Sequence, residues 1–214
     1  MESEDNITCK VVLVGDAGVG KTSIIQRYLS NTYSENLPST STASYSYKVI
    51  EYKKYNKSIS FDIWDTAGQE IYRSIAKNFY VNASIGILVY DIRNKLTFES
   101  IKNYWHKQLK DSGEEKMVIG IAGNKSDLFE DEEVSEKEAE NFAQSVGAIF
   151  QLTSCKNNVG IDDLFEKCGE KYLENNQLID NNTNKANEGK GKVKLNLDNN
   201  KGNNNGKNNK KKCC

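Results

Sequence analysis

Gly15-Asp16-Ala17-Gly18-Val19-Gly20-Lys21-Thr22 follows directly on the apolar, β-branched run Thr8 to Val14, and this junction decides the fold. A short apolar run bounded by glycine reads as a buried strand, and helix-like sequence begins near Gly20. The octapeptide fits the pattern G-x-x-x-x-G-K-[ST], whose chemistry requires a strand before it and a helix after it. In that setting the glycines let backbone N–H groups close around phosphates, and the helix N-terminus adds favourable partial charge. Lys21 reaches the β and γ phosphates, and the Thr22 hydroxyl ligates Mg²⁺. The run Gly15 to Ser23 is therefore the expected phosphate site, which specifies a nucleotide but not its base.

Outward from this junction the pattern repeats. Tyr45 to Tyr52 and Ser58 to Trp64 alternate around the polar segment Lys53 to Lys57, which predicts an antiparallel hairpin. The runs Ile85 to Tyr90, Met117 to Ala122 and Ala148 to Leu152 are separated by helix-like stretches around Lys95 to Lys110 and Ser135 to Val146, and a last helix fits Ile161 to Leu173. Strands alternating with helices predict an α/β fold, a six-stranded, mostly parallel sheet with helices on both faces. Ligands then belong in the crevice beyond the carboxyl ends of the strands.

Three further strand-end segments carry chemistry suited to that crevice. In Asp65-Thr66-Ala67-Gly68-Gln69-Glu70, the Asp65 carboxylate can hold Mg²⁺, Gly68 can bring a backbone N–H to a γ-phosphate, and the Gln69 amide can orient an attacking water. In Asn124-Lys125-Ser126-Asp127, Asp127 can accept from guanine N1–H and the 2-amino group, which adenine does not offer. A buried acceptor left unpaired costs about 1–3 kcal/mol, so that choice is steep. Asn124 can brace the pocket and the Lys125 stem can cover the base. In Thr153-Ser154-Cys155-Lys156, a backbone N–H can meet guanine O6. Four loops in this order converge on one Mg²⁺-bound guanine nucleotide.

Composition bounds the remainder. A chain of 214 residues, 37% hydrophobic and 28% charged, suits one core plus an appendage. The net charge of −1 hides an asymmetry, because Glu174 to Cys214 carries nine lysines against four acidic residues. That stretch is rich in Asn, Lys and Gly and is expected to be a disordered, solvated spacer. No run reaches the roughly 18 apolar residues of a membrane span, and Met1 to Asp5 is acidic, unlike a secretory signal. Glu2 stands where N-myristoylation would need glycine. Five scattered cysteines argue against a disulfide framework or a zinc site.

Across Thr8 to Leu173 the sequence resembles the Ras-type small GTPases, and within them the Rab family. The marks are Asp62-Ile63-Trp64-Asp65-Thr66-Ala67-Gly68-Gln69-Glu70, the following Tyr72-Arg73-Ser74-Ile75, Ile87-Leu88-Val89-Tyr90-Asp91, and the terminal Cys213-Cys214. The resemblance implies a P-loop small G domain over residues 8–173, an extension at 1–7 and a hypervariable tail at 174–214. It implies GTP/GDP and Mg²⁺ as bound groups, with catalytic roles for Gln69, Lys21, Thr40 and Gly68. Thr40 becomes the switch I residue that joins Thr22 and Asp65 at the metal when a γ-phosphate is present, and Tyr33 edges the guanine. Tyr45, Trp64 and Phe79 match the aromatic trio that meets effectors, against the plainer reading of ordinary core or surface aromatics.

Geranylgeranylation of Cys213 and Cys214 beside Lys210 to Lys212 is implied as well, two lipids anchoring where one binds marginally. The implied partners are an exchange factor, a GTPase-activating protein, effectors and a prenyl-binding carrier, for a monomer with no nucleic-acid role. Thr40-Ser41-Thr42-Ala43-Ser44-Tyr45 is similar to the early-endosomal Rab group, which implies the cytoplasmic face of endosomal membranes. The chain departs from the pattern at Ala17, Pro38, Ser41, Thr42, Ile71 and Cys155; the last is expected to act through its backbone. A nucleotide-dependent adaptor with little hydrolysis and an ATP-using phosphate-loop enzyme are the competing readings, opposed by Gln69 and Asp127. His106 is expected on the solvated surface, and Cys9 and Cys168 in core or helix positions.

Overall fold

The computed structural model describes residues 7–35, 37–38, 40, 44–65 and 80–178. Six strands form one sheet: β1 (Ile7–Val14), β2 (Ser44–Tyr52), β3 (Lys57–Asp65), β4 (Ile85–Asp91), β5 (Val118–Asn124) and β6 (Ile149–Thr153). Their order is β2-β3-β1-β4-β5-β6, with β2 antiparallel to β3 and every other pairing parallel. The expected hairpin is therefore present. Its turn is a 3₁₀ segment, Lys53–Tyr55, closed by Asn56 in the left-handed region at φ 50°, which Asn tolerates better than most residues.

Position in the sheet explains the strand patterns. β4 is interior and covered on both faces, so all seven of its residues are buried and it reads as an unbroken apolar run. Edge strand β2 is covered on one face only, and Tyr45, Tyr47 and Val49 stand exposed on the other. β1 divides its side chains between the two faces. Val11 and Leu13 pack with Ile24, Tyr28 and Phe165 on one side, and Val12 and Val14 pack with Leu88, Phe98 and Trp105 on the other. On the first side the rings of Tyr28 and Phe165 lie stacked 3.8 Å apart. Burying a side chain of that size contributes about 1.5–3 kcal/mol.

The helices are α1 (Lys21–Ser30), α2 (Lys95–Ser100), α3 (His106–Ser112), α4 (Glu136–Val146) and α5 (Ile161–Asn175). Local chemistry sets several of their ends. The side chain of Asn94 accepts from Leu96 N–H to start α2, and that of Ser135 accepts from Glu138 N–H to start α4. Gly147, at φ 68°, ends α4. A π-helical turn, Ile101–Trp105, joins α2 to α3. Nothing in the 3.6-residue periodicity of Lys95 to Lys110 announces it.

Two expectations need correction. The last helix continues past Leu173 to Asn175, and Leu178 N–H then bonds the Leu173 carbonyl at 3.0 Å while its side chain packs on the core. His106 is half-buried and meets the Phe142 ring edge-on at 6.1 Å, so it is only partly solvated. Burial, with Lys110 nearby, lowers its imidazole pKa. Cys9 and Cys168 do lie in the core, and burial pushes the Cys168 thiol up to about 12.

Candidate functional site

The loops beyond the carboxyl ends of β1, β4, β5 and β6, with part of the segment between α1 and β2, line a cavity of about 340 Å³. Its walls include Lys21 and Thr22 from the start of α1, Thr40, Asp127 from the loop after β5, and Cys155 and Lys156 from the loop after β6. The crevice is where a mostly parallel sheet is expected to bind its ligand.

The phosphate loop is shaped by glycine. Gly15, Gly18 and Gly20 have φ of 149°, 76° and 101°, and a Cβ on Gly20 would run into Asn124 Nδ2. Such φ values are open to glycine at little cost and to other residues rarely. Lys21 is buried, and its ammonium donates 2.9 Å bonds to the carbonyls of Gly15 and Asp16. Burial pushes its pKa down to about 8, with Asp65 and Asp16 partly restoring it. A desolvated ammonium at the head of a helix is suited to phosphate oxygens.

Beside it three oxygen-bearing side chains meet. Thr22 Oγ1 donates to Asp65 Oδ2 at 2.7 Å and lies 2.6 Å from Thr40 Oγ1. Two hydroxyls and one carboxylate are hard ligands of the kind Mg²⁺ takes when phosphates complete its shell. The donor set therefore fits the ion, and Thr22, Thr40 and Asp65 fall together as the sequence predicts. Among the described residues no cluster of three His, Cys, Asp or Glu suggests any other metal site.

The remaining walls come from the loops after β5 and β6. Asn124 is buried and spans two loops. Its Nδ2 donates to the Val19 carbonyl at 2.8 Å, and its Oδ1 accepts from Thr153 Oγ1 at 3.1 Å and from Cys155 Sγ at 3.6 Å. Ser154 Oγ donates to Asp127 Oδ1 at 2.6 Å and accepts from Asn157 N–H at 3.0 Å, which orients the carboxylate. Lys125 adopts a left-handed backbone at φ 66° and sends its ammonium 2.8 Å to the Gly18 carbonyl and 2.7 Å to Asp91 Oδ2. Tyr33 lines the cavity, with the Arg27 guanidinium 5.8 Å from its ring centre.

Several of these partners carry no sequence motif. Arg27 donates from α1 to the Cys155 carbonyl at 2.8 Å, fixing the loop after β6. Asp91 accepts from Arg93 Nε at 3.2 Å and Nη2 at 3.0 Å as well as from Lys125. Burial would raise its pKa, but these donors outweigh burial and hold it below the usual carboxylate value. Its signals in the sequence were its position at the end of β4 and its place in the stretch Ile87-Leu88-Val89-Tyr90-Asp91. Outside the cavity, Tyr45 and Trp64 sit 5.4 Å apart on neighbouring strands. Gly68, Gln69, Phe79, Cys213 and Cys214 lie outside the described residues.

Comparison with known proteins agrees with this geometry. The profile of the Ras family matches residues 10–174. Ras-related protein Rab-22A of Canis lupus familiaris is 44% identical over 156 residues, 73% of this chain and 79% of the relative. Ras-related protein Rab-31 of Homo sapiens is 42% identical over 157 residues, again 73% and 79%. Ras-related protein Rab5A of Oryza sativa subsp. japonica is 35% identical over 171 residues, 80% and 83%. The chain therefore belongs to the Ras family, among its Rab proteins, and is a small GTPase that hydrolyses GTP.

Proposed function

We propose that this chain is a membrane-tethered GDP/GTP switch of vesicle traffic, working on the cytoplasmic face of endosomal membranes. The observation that carries the switch is the 2.6 Å contact between Thr40 and Thr22, beside Asp65. Thr40 belongs to the segment between α1 and β2, so a metal and a γ-phosphate would draw that segment onto the phosphate site, and hydrolysis would release it. Mg²⁺ held by Thr22, Thr40 and Asp65 would neutralise charge that builds on the phosphates. Lys21 would hold the β and γ oxygens, Gly68 would meet the γ-phosphate, and Gln69 would place the water. Residues 8–178, past the boundary expected at Leu173, act as the switch domain, and the remainder to Cys214 as the tether.

Effectors of the GTP form would read the outer face of β2 and β3. Tyr45 is half exposed, its hydroxyl donates to Asp62 at 3.0 Å, and Tyr47 and Val49 continue the apolar stripe. Phe79 completes the trio on this reading. Likeness to Rab-22A, Rab-31 and Rab5A supports the endosomal assignment. Two prenyl groups on Cys213 and Cys214 would anchor the chain, and a prenyl-binding carrier would return it to the cytosol. An exchange factor would load it and an activating protein would speed its hydrolysis.

The test uses the full chain in cells. Gln69→Leu should accumulate on endosomes in the GTP form, and Cys213→Ser with Cys214→Ser should move the protein to the soluble fraction. Persistence of the double serine variant on membranes contradicts the tether, and a purely Golgi location contradicts the endosomal assignment.

A further inference from the structure

The phosphate loop contains a carboxylate, Asp16, in the segment built to collect phosphate charge. Left near the triphosphate it would repel the ligand, since like charges at short range in a partly desolvated cavity interact strongly. The structure turns it elsewhere. Asp16 Oδ1 accepts from Trp105 Nε1 at 2.8 Å, across 89 residues of sequence. Ala17, Gly18, Gly20 and Lys21 line the cavity, and among the described residues Asp16 is not part of that lining. On its other side the Asp16 carbonyl accepts from Lys21 Nζ at 2.9 Å. One residue thus links the indole of the α2–α3 region to the ammonium of the phosphate site.

The donor is built for this position. Trp105 is 2% exposed and ends the π-helical turn Ile101–Trp105. The ring of Tyr104 packs edge-on against it at 4.9 Å, which fixes the plane of the indole. A π turn interrupts the α-helical register and redirects the side chains that follow, and such turns concentrate at functional sites. A buried indole also needs an acceptor for its N–H. Phe98, Ile101 and Leu109 fill the same core layer without a polar atom, so the core alone does not call for a tryptophan.

We propose that Trp105 is a positioning residue for the phosphate loop, holding the Asp16 carboxylate out of the triphosphate cavity and so slowing nucleotide release. The proposal rests on the reading of that cavity as a guanine nucleotide site. Without the indole N–H, the carboxylate loses the donor that directs it away from the phosphates, and the loop loses a tie to the helix behind it.

A double-mutant cycle on the full chain tests it, with release of a fluorescent GDP derivative in Mg²⁺ as the readout. Trp105→Phe keeps an aromatic ring and removes the donor; it should speed release about tenfold. In the Asp16→Asn background, where no charge has to be kept away, the same change should alter release less than about twofold. An equal acceleration in both backgrounds means that the indole acts by packing alone, and overturns the proposal. Should Trp105→Phe fail to fold, the indole N–H resonance of Trp105 in the GDP-bound protein decides the question. It should move when Asp16→Asn removes the charged acceptor, and a resonance that stays in place overturns the proposal. If the unmodified protein takes up no guanine nucleotide, the cavity reading fails and the proposal falls with it; unequal uptake among the variants alone leaves that reading intact.

Discussion

The ammonium of Lys125 stands 2.7 Å from Asp91 Oδ2 and 2.8 Å from the Gly18 carbonyl, so one side chain joins the end of β4 to the phosphate loop. Asp91 is the fixed point of this clasp. It is largely buried, and Arg93 binds both of its oxygens, with Nε and backbone N–H on Oδ1 and Nη2 on Oδ2. A hydrogen bond to a charged group contributes about 1.5–3 kcal/mol. Asp91→Asn should therefore speed GDP release about tenfold, as followed by loss of a fluorescent GDP derivative. Arg93→Gln should have a smaller effect, because its guanidinium is about one-third exposed and screened by solvent.

Protonation of Lys21 gives a pH signature. Burial lowers its pKa to about 8 in the free protein, against about 10.4 in an unfolded chain. Between those values the unfolded state holds more protons, so burial of Lys21 costs the free protein stability below pH 8 and that cost fades as pH rises. Phosphates favour the ammonium and reverse the balance. GDP binding at pH 8.5 should therefore take up a fraction of a proton, and less at pH 7. Calorimetry in two buffers of different ionisation enthalpy measures this, and no uptake at pH 8.5 contradicts the assignment of Lys21.

Gly20 is held at φ 101° with Asn124 Nδ2 where a Cβ would stand. Gly20→Ala adds the left-handed cost of about 1–2 kcal/mol and displaces the amide that braces Val19 and Thr153. Guanine nucleotide affinity should fall about 100-fold. Far-ultraviolet circular dichroism should stay unchanged, because the clash lies in a loop.

Cys155 is expected to matter through its backbone. Its carbonyl accepts from Arg27 Nε, whereas its thiol makes only a 3.6 Å contact to Asn124. Burial pushes that thiol up to about 11, so it is not a nucleophile at neutral pH. Cys155→Ala should leave GDP affinity within about twofold of the parent. Arg27→Ala should weaken it several-fold more, as read by equilibrium competition.

The six strands, the antiparallel hairpin and the glycine turn between β1 and α1 were legible because their signals are local. Gly15 to Thr22 is a contiguous pattern in a required context, and β4 shows its burial as an uninterrupted apolar run. What was not legible acts at a distance. Arg27 reaches Cys155 across 128 residues and Trp105 reaches Asp16 across 89, and neither residue type betrays its partner. The π turn hides within a periodicity that an uninterrupted α-helix would also satisfy. His106 looked solvated between lysines, although the contact that half-buries it comes from Phe142 on α4. The helix end was misjudged for a related reason, since Leu178 anchors the chain beyond a composition that otherwise reads as spacer.

The most direct test of the central claim, that Lys21 and Asp127 hold opposite ends of one guanine nucleotide, is thermal unfolding of the full chain in Mg²⁺ with GDP, GTP or ATP at equal concentration. A ligand at a hundred times its Kd stabilises by about 2.7 kcal/mol, so GDP and GTP should raise the midpoint by several degrees while ATP leaves it in place. Protection by ATP equal to that by GTP, or no protection by any of the three, contradicts the account.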